Sequence, residues 1–211
     1  AAHRGRACAV VAGIALGAAV FTSVRLSVHA TLAAFTGSMD RIAGRAEAVV
    51  TRPGGRVPEA LVAALLADPR VAAAAPLLTA YVRSGDRGAE PFLLIGLDPL
   101  LDRPLRAWGA KPEAGSAAGR GAAGLALLRD PFTLLAAAPL AAALGWQTGA
   151  TVTLESAHRR AAFRVAGTIA AEGLAAAEAG RLALVDIATF QEFTGVFGQV
   201  DRIDLVFAEA K

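Results

Sequence analysis

The stretch that decides how this sequence is read is Ala7 to Val24, ACAVVAGIALGAAVFTSV, eighteen residues without a charge. At about 1.5 Å of rise per residue it would span roughly 27 Å as a helix, close to the hydrocarbon thickness of a bilayer. His3, Arg4 and Arg6 precede it with no acidic residue. An excess of Lys and Arg marks the cytoplasmic flank of a span, so the short N-terminal end is expected inside and everything after Arg25 outside. A retained span, a cleaved signal peptide and a helix buried in a soluble core can each carry such a stretch. Within it Ala9, Gly13 and Gly17 recur every four residues. They share one helical face, and this small-residue stripe would let a second membrane helix pack closely. A chain this rich in Ala and Gly also produces such spacing by chance.

Outward from that segment, the remainder of the 211 residues is long enough for one large domain or two small subdomains. The apolar fraction of 55% is inflated by alanine and only 6% of residues are aromatic, which points to close packing of small side chains. Of the 21 basic residues, setting aside Arg4 and Arg6 leaves nineteen against eighteen acidic ones, interspersed in sign. Such a balance lacks the clustered Lys and Arg of a nucleic-acid surface. The only cysteine, Cys8, lies inside the apolar run. It excludes an intramolecular disulfide and a thiol zinc site, and reads as a small apolar residue of a helix.

Helical character is expected to continue through Ser27 to Asp40, on the spacing of Val28, Leu32 and Phe35. Glu47 to Arg52 reads as a strand leading into the turn Arg52-Pro53-Gly54-Gly55, and Pro58 fits the first position of a helix that Asp68-Pro69 stops. Val71 to Arg83 looks extended, with Pro76 marking an edge or a bulge. Phe92 to Leu97 is an apolar strand. From Asp98 to Arg129 the pattern loosens into a Pro/Gly-rich segment and the tract Ala114 to Gly124, read as an insertion with a mobile loop. Regularity returns with a short helix from Pro139 to Leu144 capped by Gly145. A hairpin of Thr151 to Glu155 with Phe163 to Ile169 follows, then a strand from Arg181 to Val185. Asp186 is placed to cap a helix through Phe193, and Val200 to Phe207 alternates as a last strand.

The chemistry-bearing residues make no constellation. His3, His29 and His158 are far apart in sequence and read as solvated. Gly119 to Gly124 matches GxGxxG, but no strand precedes it, so the context for phosphate binding is missing. No HExxH, GxSxG or Walker-type GxxxxGK occurs, and ATP hydrolysis by this chain is not expected. Asp201 and Asp204 would point to opposite faces of a strand, which argues against joint chelation and for a polar edge or solvent face. Arg159, Arg160 and Arg164 could attract an anionic partner, though charged hairpin tips usually stay solvated.

In their order, four places resemble the FtsX-like ABC transporter permeases with a MacB-like extracytoplasmic core domain. They are Gly13-Ile14-Ala15-Leu16-Gly17; Val57-Pro58-Glu59 leading to Ala75-Pro76; Leu94-Ile95-Gly96-Leu97-Asp98-Pro99; and Leu144-Gly145 followed by Gly149, Val152 and Leu154. The resemblance implies an α+β fold. A transmembrane helix (1–26 with its flank) would precede a mixed α/β extracytoplasmic domain (27–211) of two β-α-β-type halves, with a variable subdomain inserted at about 100–135. It implies a non-catalytic permease subunit of the bacterial inner membrane. ATP is expected to be hydrolysed by a separate cytoplasmic ATPase, and that work coupled to motion of the outer domain for export or substrate extraction.

The implied partners are that ATPase, a second permease subunit, an extracytoplasmic adaptor or lipoprotein, and the membrane; no nucleic acid, cofactor or metal is expected. Such permeases continue into further spans, so the chain is expected to be a fragment of a longer protein. The remaining readings are a secreted ligand-binding module, a membrane-anchored sensor domain and, last, an exported enzyme.

Overall fold

Residues 13–28 form helix α1 in the computed structural model, which describes residues 13–28, 45–85, 90–106, 120–157 and 159–208. The chain divides into two compact units, Ala1–Asp40 and Arg41–Lys211. In the first, the Thr22 hydroxyl donates to the Ala18 carbonyl at 2.8 Å, the back-bond that lets a hydroxyl sit on an apolar helix. Ile14, Leu16, Val20, Phe21 and Val24 are all more than half exposed. Among the described residues no helix is long and apolar enough to cross a membrane. The expected span begins at Ala7, so residues 7–12 of it lie outside the described residues.

The second unit runs β1 (Ala48–Thr51), β2 (Val57–Pro58), α2 (Leu61–Leu66), β3 (Val71–Ser84), β4 (Phe92–Leu97), α3 (Arg120–Arg129), β5 (Thr133–Ala137), α4 (Ala138–Leu144), β6 (Thr151–Ser156), β7 (Arg159–Ile169), a 3-10 segment (Gly173–Gly180), β8 (Leu182–Asp186), α5 (Ile187–Thr194), β9 (Gln199–Val200) and β10 (Arg202–Phe207). Eight strands form one sheet in the order β1-β10-β3-β4-β8-β5-β7-β6, and β2 pairs with β9 apart from it. The fold is thus mixed α+β around a large sheet. Strands from both halves of the sequence interleave in it, so the expected β-α-β halves are not separate layers.

Strand β3 is the spine. Along one edge it pairs with β10 from Val71 to Leu77 and then, at Arg83↔Glu155 and Ser84↔Leu154, with β6. Its other edge carries β4. The β3–β6 pairing therefore closes the strands from β3 to β6 into a ring. The alternation of strand backbones places the Leu77 carbonyl toward β10, where it accepts from the Asp201 amide at 3.0 Å. Pro76, one residue earlier, directs its missing donor to the opposite side, where the β4 ladder has already ended at Leu77↔Leu97. Pro76 thus lies within a two-sided strand and not on an edge strand.

Both faces of the sheet are covered, which is why β4 is buried at all six positions and reads as an unbroken apolar run. On one face Phe92, Leu94, Val165 and Val185 pack with Leu140 of α4 and Phe190 of α5. On the other, Leu93, Ile95, Leu135 and Leu184 meet Leu174 and Ala177 of the 3-10 segment and Leu127 of α3. Few as they are, the aromatic rings gather in the first core: Phe163 meets Phe132 at 5.3 Å and Phe193 at 5.1 Å, both edge-to-face.

Local rules account for most boundaries. Helix α4 ends at Gly145 in the left-handed region, φ 66°, and the Asp186 carboxylate caps α5 by accepting from the Ala188 amide at 3.0 Å. One expectation is corrected and a second range is given its elements. Pro58 belongs to β2, opposite Gln199, and α2 starts only at Leu61. The range read as an insertion carries helix α3 and strand β5, the latter lying between β7 and β8 in the sheet.

Candidate functional site

The region with the densest buried chemistry is where the chain enters and leaves the second unit. Strands β1 and β10 are antiparallel neighbours, Ala48 opposite Leu205 and Thr51 opposite Arg202, so the incoming and outgoing chain lie side by side. Glu47 ties them twice: its amide donates to the Leu205 carbonyl at 2.8 Å and its carboxylate accepts from the Phe207 amide at 3.0 Å. The Arg45 amide donates to the Leu105 carbonyl at 2.8 Å, and the Ala208 amide to the Arg70 carbonyl at 2.8 Å.

Leu105 belongs to a folded segment that follows β4. The Asp98 carboxylate starts it by accepting from the amides of Leu100 and Leu101 at 2.8 and 3.1 Å, a short polar side chain standing in for backbone. The Asp102 amide then donates to the Asp98 carbonyl at 2.9 Å, and the Arg106 amide to the Asp102 carbonyl at 3.1 Å. These turns pack Leu105 and Leu101 against the small residues Ala73 and Ala75 of β3, and bring Arg106 to Asp204 of β10. Asp204 of β10 sits opposite Ala75, whose single methyl leaves room for a guanidinium group.

There the Arg106 fork joins two carboxylates, one nitrogen meeting Asp102 and the other Asp204. Arg202 approaches Asp204 at 3.1 Å. The side chains of Arg106, Asp102 and Asp204 are at most 1% exposed and that of Arg202 is 13% exposed, so four formal charges balance almost without water. The contacts of Asp204 are ion pairs by distance but none is aligned as a hydrogen bond. Burial pushes the Arg106 guanidinium below its ordinary value, opposed by Asp102. Burial and the neighbouring Arg106 charge bring Arg202 down to about 10.

This cluster overturns the reading of Asp204 as a solvent-face residue. Asp201 has a separate role: its carboxylate accepts from the Thr79 amide at 2.7 Å, the Thr79 hydroxyl at 2.9 Å and Arg56 at 2.8 Å. It serves the edge of β3 where β10 has ended and β6 has not begun. Arg159, Arg160 and Arg164 do not converge on one anion. Arg159 donates to the Glu192 carbonyl at the end of α5, Arg160 pairs with Glu155 at 3.3 Å and Arg164 with Asp130 at 2.8 Å. Of the GxGxxG match, Gly119 lies outside the described residues, and Gly121 and Gly124 lie inside α3, which begins at Arg120, and not in a loop ahead of it.

Of the helix-packing residues, Ala9 lies outside the described residues, and a Cβ added at Gly13 or Gly17 would meet nothing within 4 Å. His3, His29 and His158 also lie outside the described residues. Among the described residues no three His, Cys, Asp or Glu side chains gather to hold a metal ion. Sequence reading missed Asp102, Arg106 and Arg202. The available signal was the i, i+4 spacing of Asp102 and Arg106 within the repeat Leu101-Asp102 and Leu105-Arg106.

A large mixed sheet reached and left through adjacent strands defines the class as a mixed α+β domain. The chain belongs to the family of the MacB-like periplasmic core domain, whose family model matches residues 8–211. One solved structure shares the fold, and two more stand beside it for their similarity alone. The extracellular domain of the noncanonic ABC-type transporter YknZ from Gram-positive bacteria has a TM-score of 0.54 at 11% identity, over 74% of this chain and 75% of that one. The periplasmic region of MacB from Actinobacillus actinomycetemcomitans gives 0.49 at 11% identity, over 74% of this chain and 66% of that one. A domain of a putative permease protein from Porphyromonas gingivalis gives 0.44 at 15% identity, over 74% and 65%. No curated protein matches the sequence.

Proposed function

We propose that this chain is the first membrane helix and extracytoplasmic domain of a permease subunit of a bacterial ABC transporter, a non-catalytic part that moves when a separate cytoplasmic ATPase binds and hydrolyses ATP. The observation that carries this reading is the family match, which includes the apolar segment as well as the domain. The side-by-side arrangement of β1 and β10 supports it, because a domain held at one place by both chain ends can be displaced as a unit by the segments it hangs from. Coupling of this kind requires ATP binding to favour one of two helix arrangements, which the outer domains then follow. Residues Ala9, Gly13 and Gly17 are the proposed packing face toward a second membrane helix. A second permease subunit completes the assembly, and an adaptor or lipoprotein at the outer face receives or delivers the substrate.

The test is membrane topology in living cells. In a Cys8→Ala background, Gly54→Cys in the exposed turn after β1 is expected to react with a membrane-impermeant maleimide added outside intact cells or spheroplasts, and to stay in the membrane fraction. Protection of the cysteine until lysis would place the domain inside and remove the proposal. Release of the domain without residues Ala7 to Val24 would favour a secreted module.

A further inference from the structure

In the eight-stranded sheet β1 is the end strand: one edge is laddered to β10 and, among the described residues, no strand pairs with the other. The far end of the sheet is treated differently, since β6 there pairs back onto β3. Edge strands ordinarily carry a charge, a proline or a bulge that discourages pairing with another chain. Ala48–Thr51 reads AVVT, without charge or proline, and its register with β10 is unbroken from Ala48↔Leu205 to Thr51↔Arg202. Val49 is 43% exposed. It lies opposite Asp204, a member of the buried Asp102–Arg106–Asp204–Arg202 quartet, so β1 rests on a strand that is itself fixed.

Backbone alternation decides which groups the open edge offers. The Leu205 carbonyl accepts from the Glu47 amide, so the backbone groups of Leu205 face β1. Ala48, opposite Leu205, and Val50, opposite Ile203, therefore direct their amides and carbonyls to β10. Val49 and Thr51 direct theirs outward, two donors and two acceptors in all.

A second β1 laid antiparallel satisfies all of these groups in one register only. A two-fold axis through Val50 sets Val49 of each copy opposite Thr51 of the other, and every outward amide meets an outward carbonyl. Centring on Val49 sets Thr51 against Glu47, whose amide is already given to Leu205. Centring on Thr51 sets Val49 against Pro53, which has no amide to give. Registers shifted by a single residue set outward groups against inward ones. The edge is thus complementary to itself.

We infer that the open edge of β1 is a docking site for a second copy of this chain, whose own β1 pairs antiparallel about Val50 and joins the two sheets into one. So short a ladder does not hold free domains together and depends on the copies being kept close. That condition rests on the permease reading above, in which a second subunit packs on Gly13 and Gly17 of the segment that leads to β1.

The experiment is thiol cross-linking of the full chain in membranes, in the Cys8→Ala background. Across the axis the two Val50 positions form a non-hydrogen-bonded pair with Cα atoms about 4.5 Å apart, within disulfide reach, so Val50→Cys is expected to give a covalent dimer on mild oxidation. Ala48→Cys and Arg52→Cys serve as controls, because like residues there lie roughly 13 Å apart along the strands. Each is expected to cross-link at least about tenfold more slowly than Val50→Cys, having no comparable effective concentration of its partner thiol. No dimer at Val50→Cys, or equal rates at all these positions, would overturn the inference.

Val49→Pro tests the hydrogen bonding itself. The amide it removes points outward, so the β1–β10 ladder keeps its bonds and the thermal midpoint is expected to stay near wild type. Combined with Val50→Cys it is expected to abolish the cross-link, and a cross-link that survives it refutes strand pairing. Orientation is read at Gly54→Cys and pairing at Val50→Cys. A domain found outside the cell without a cross-link therefore sinks the pairing alone, and a cross-linked domain found inside sinks the permease reading alone.

Discussion

Two side chains, Asp186 after β8 and Arg106 beside β10, show how burial sets what an ionised group does here. Asp186 caps α5, yet burial is the largest influence on it and raises its carboxyl above the ordinary value, with the Asp98 charge adding to the rise and the amides of Ala188, Thr189 and Ile187 opposing it. A carboxyl with a raised folded-state pKa binds its proton more tightly when folded. Its stabilising contribution is therefore complete below the ordinary value of 3.8 and is lost as pH rises through the folded value. Asp186→Asn keeps a capping oxygen and removes that loss, so it is expected to match or exceed wild-type stability at neutral pH and to flatten this part of the pH profile. Asp186→Ala is expected to cost about 1 kcal/mol through loss of the cap. Urea midpoints between pH 4 and pH 8 would check both. Beside β10, Arg106→Met leaves Asp102 and Asp204 buried without their shared partner, and a loss of about 3–5 kcal/mol is expected in equilibrium unfolding.

At the scale of elements, the contact of β4 with α5 depends on a missing side chain. A Cβ on Gly96 would lie 2.6 Å from the Phe190 Cβ, so Gly96→Ala must push α5 away from the sheet. A loss of about 1–3 kcal/mol is expected, with the unfolding midpoint as the measurement; Gly167→Ala in β7, where a Cβ would meet only Leu135 Cδ2 at 3.8 Å, separates crowding from the general effect of replacing a strand glycine. Elements of this kind were legible in the sequence. An unbroken apolar run bounded by turns gave β4, Leu-Gly gave the end of α4, and Asp186 gave the start of α5. Strand β5 was not legible, because Thr133-Leu134-Leu135-Ala136-Ala137 is buried on both faces and shows no alternation. Helix α3 was hidden by glycines at 121 and 124 that resemble a loop. Pro58 misled because the same fixed φ suits the start of a helix and a short strand. The quartet was illegible for a different reason: Asp102 and Arg106 become special only when Asp204, about a hundred residues later in the chain, is laid across them.

For the whole molecule, the two units make separable demands. The exposed apolar face of α1 and the open space at Gly13 and Gly17 mean that Gly13→Leu and Gly17→Leu meet no crowding within the described chain. If the permease reading holds, these substitutions are expected to reduce transport and helix cross-linking in membranes while residues 41–211 keep their unfolding midpoint. Unchanged transport in the double variant would remove the packing face. The same reading expects no specific ATP binding by purified 41–211, checked by calorimetry, since nucleotide chemistry belongs to the partner ATPase.

The adjacency of β1 and β10 also bears on where such a domain can be lodged. Because its two boundaries emerge as neighbouring strands, the unit can be transplanted into a surface turn of an unrelated host without prising that turn apart. A library of such chimaeras would show which hosts tolerate it, and the domain becomes a portable graft whose joints are already set at the spacing of a hairpin.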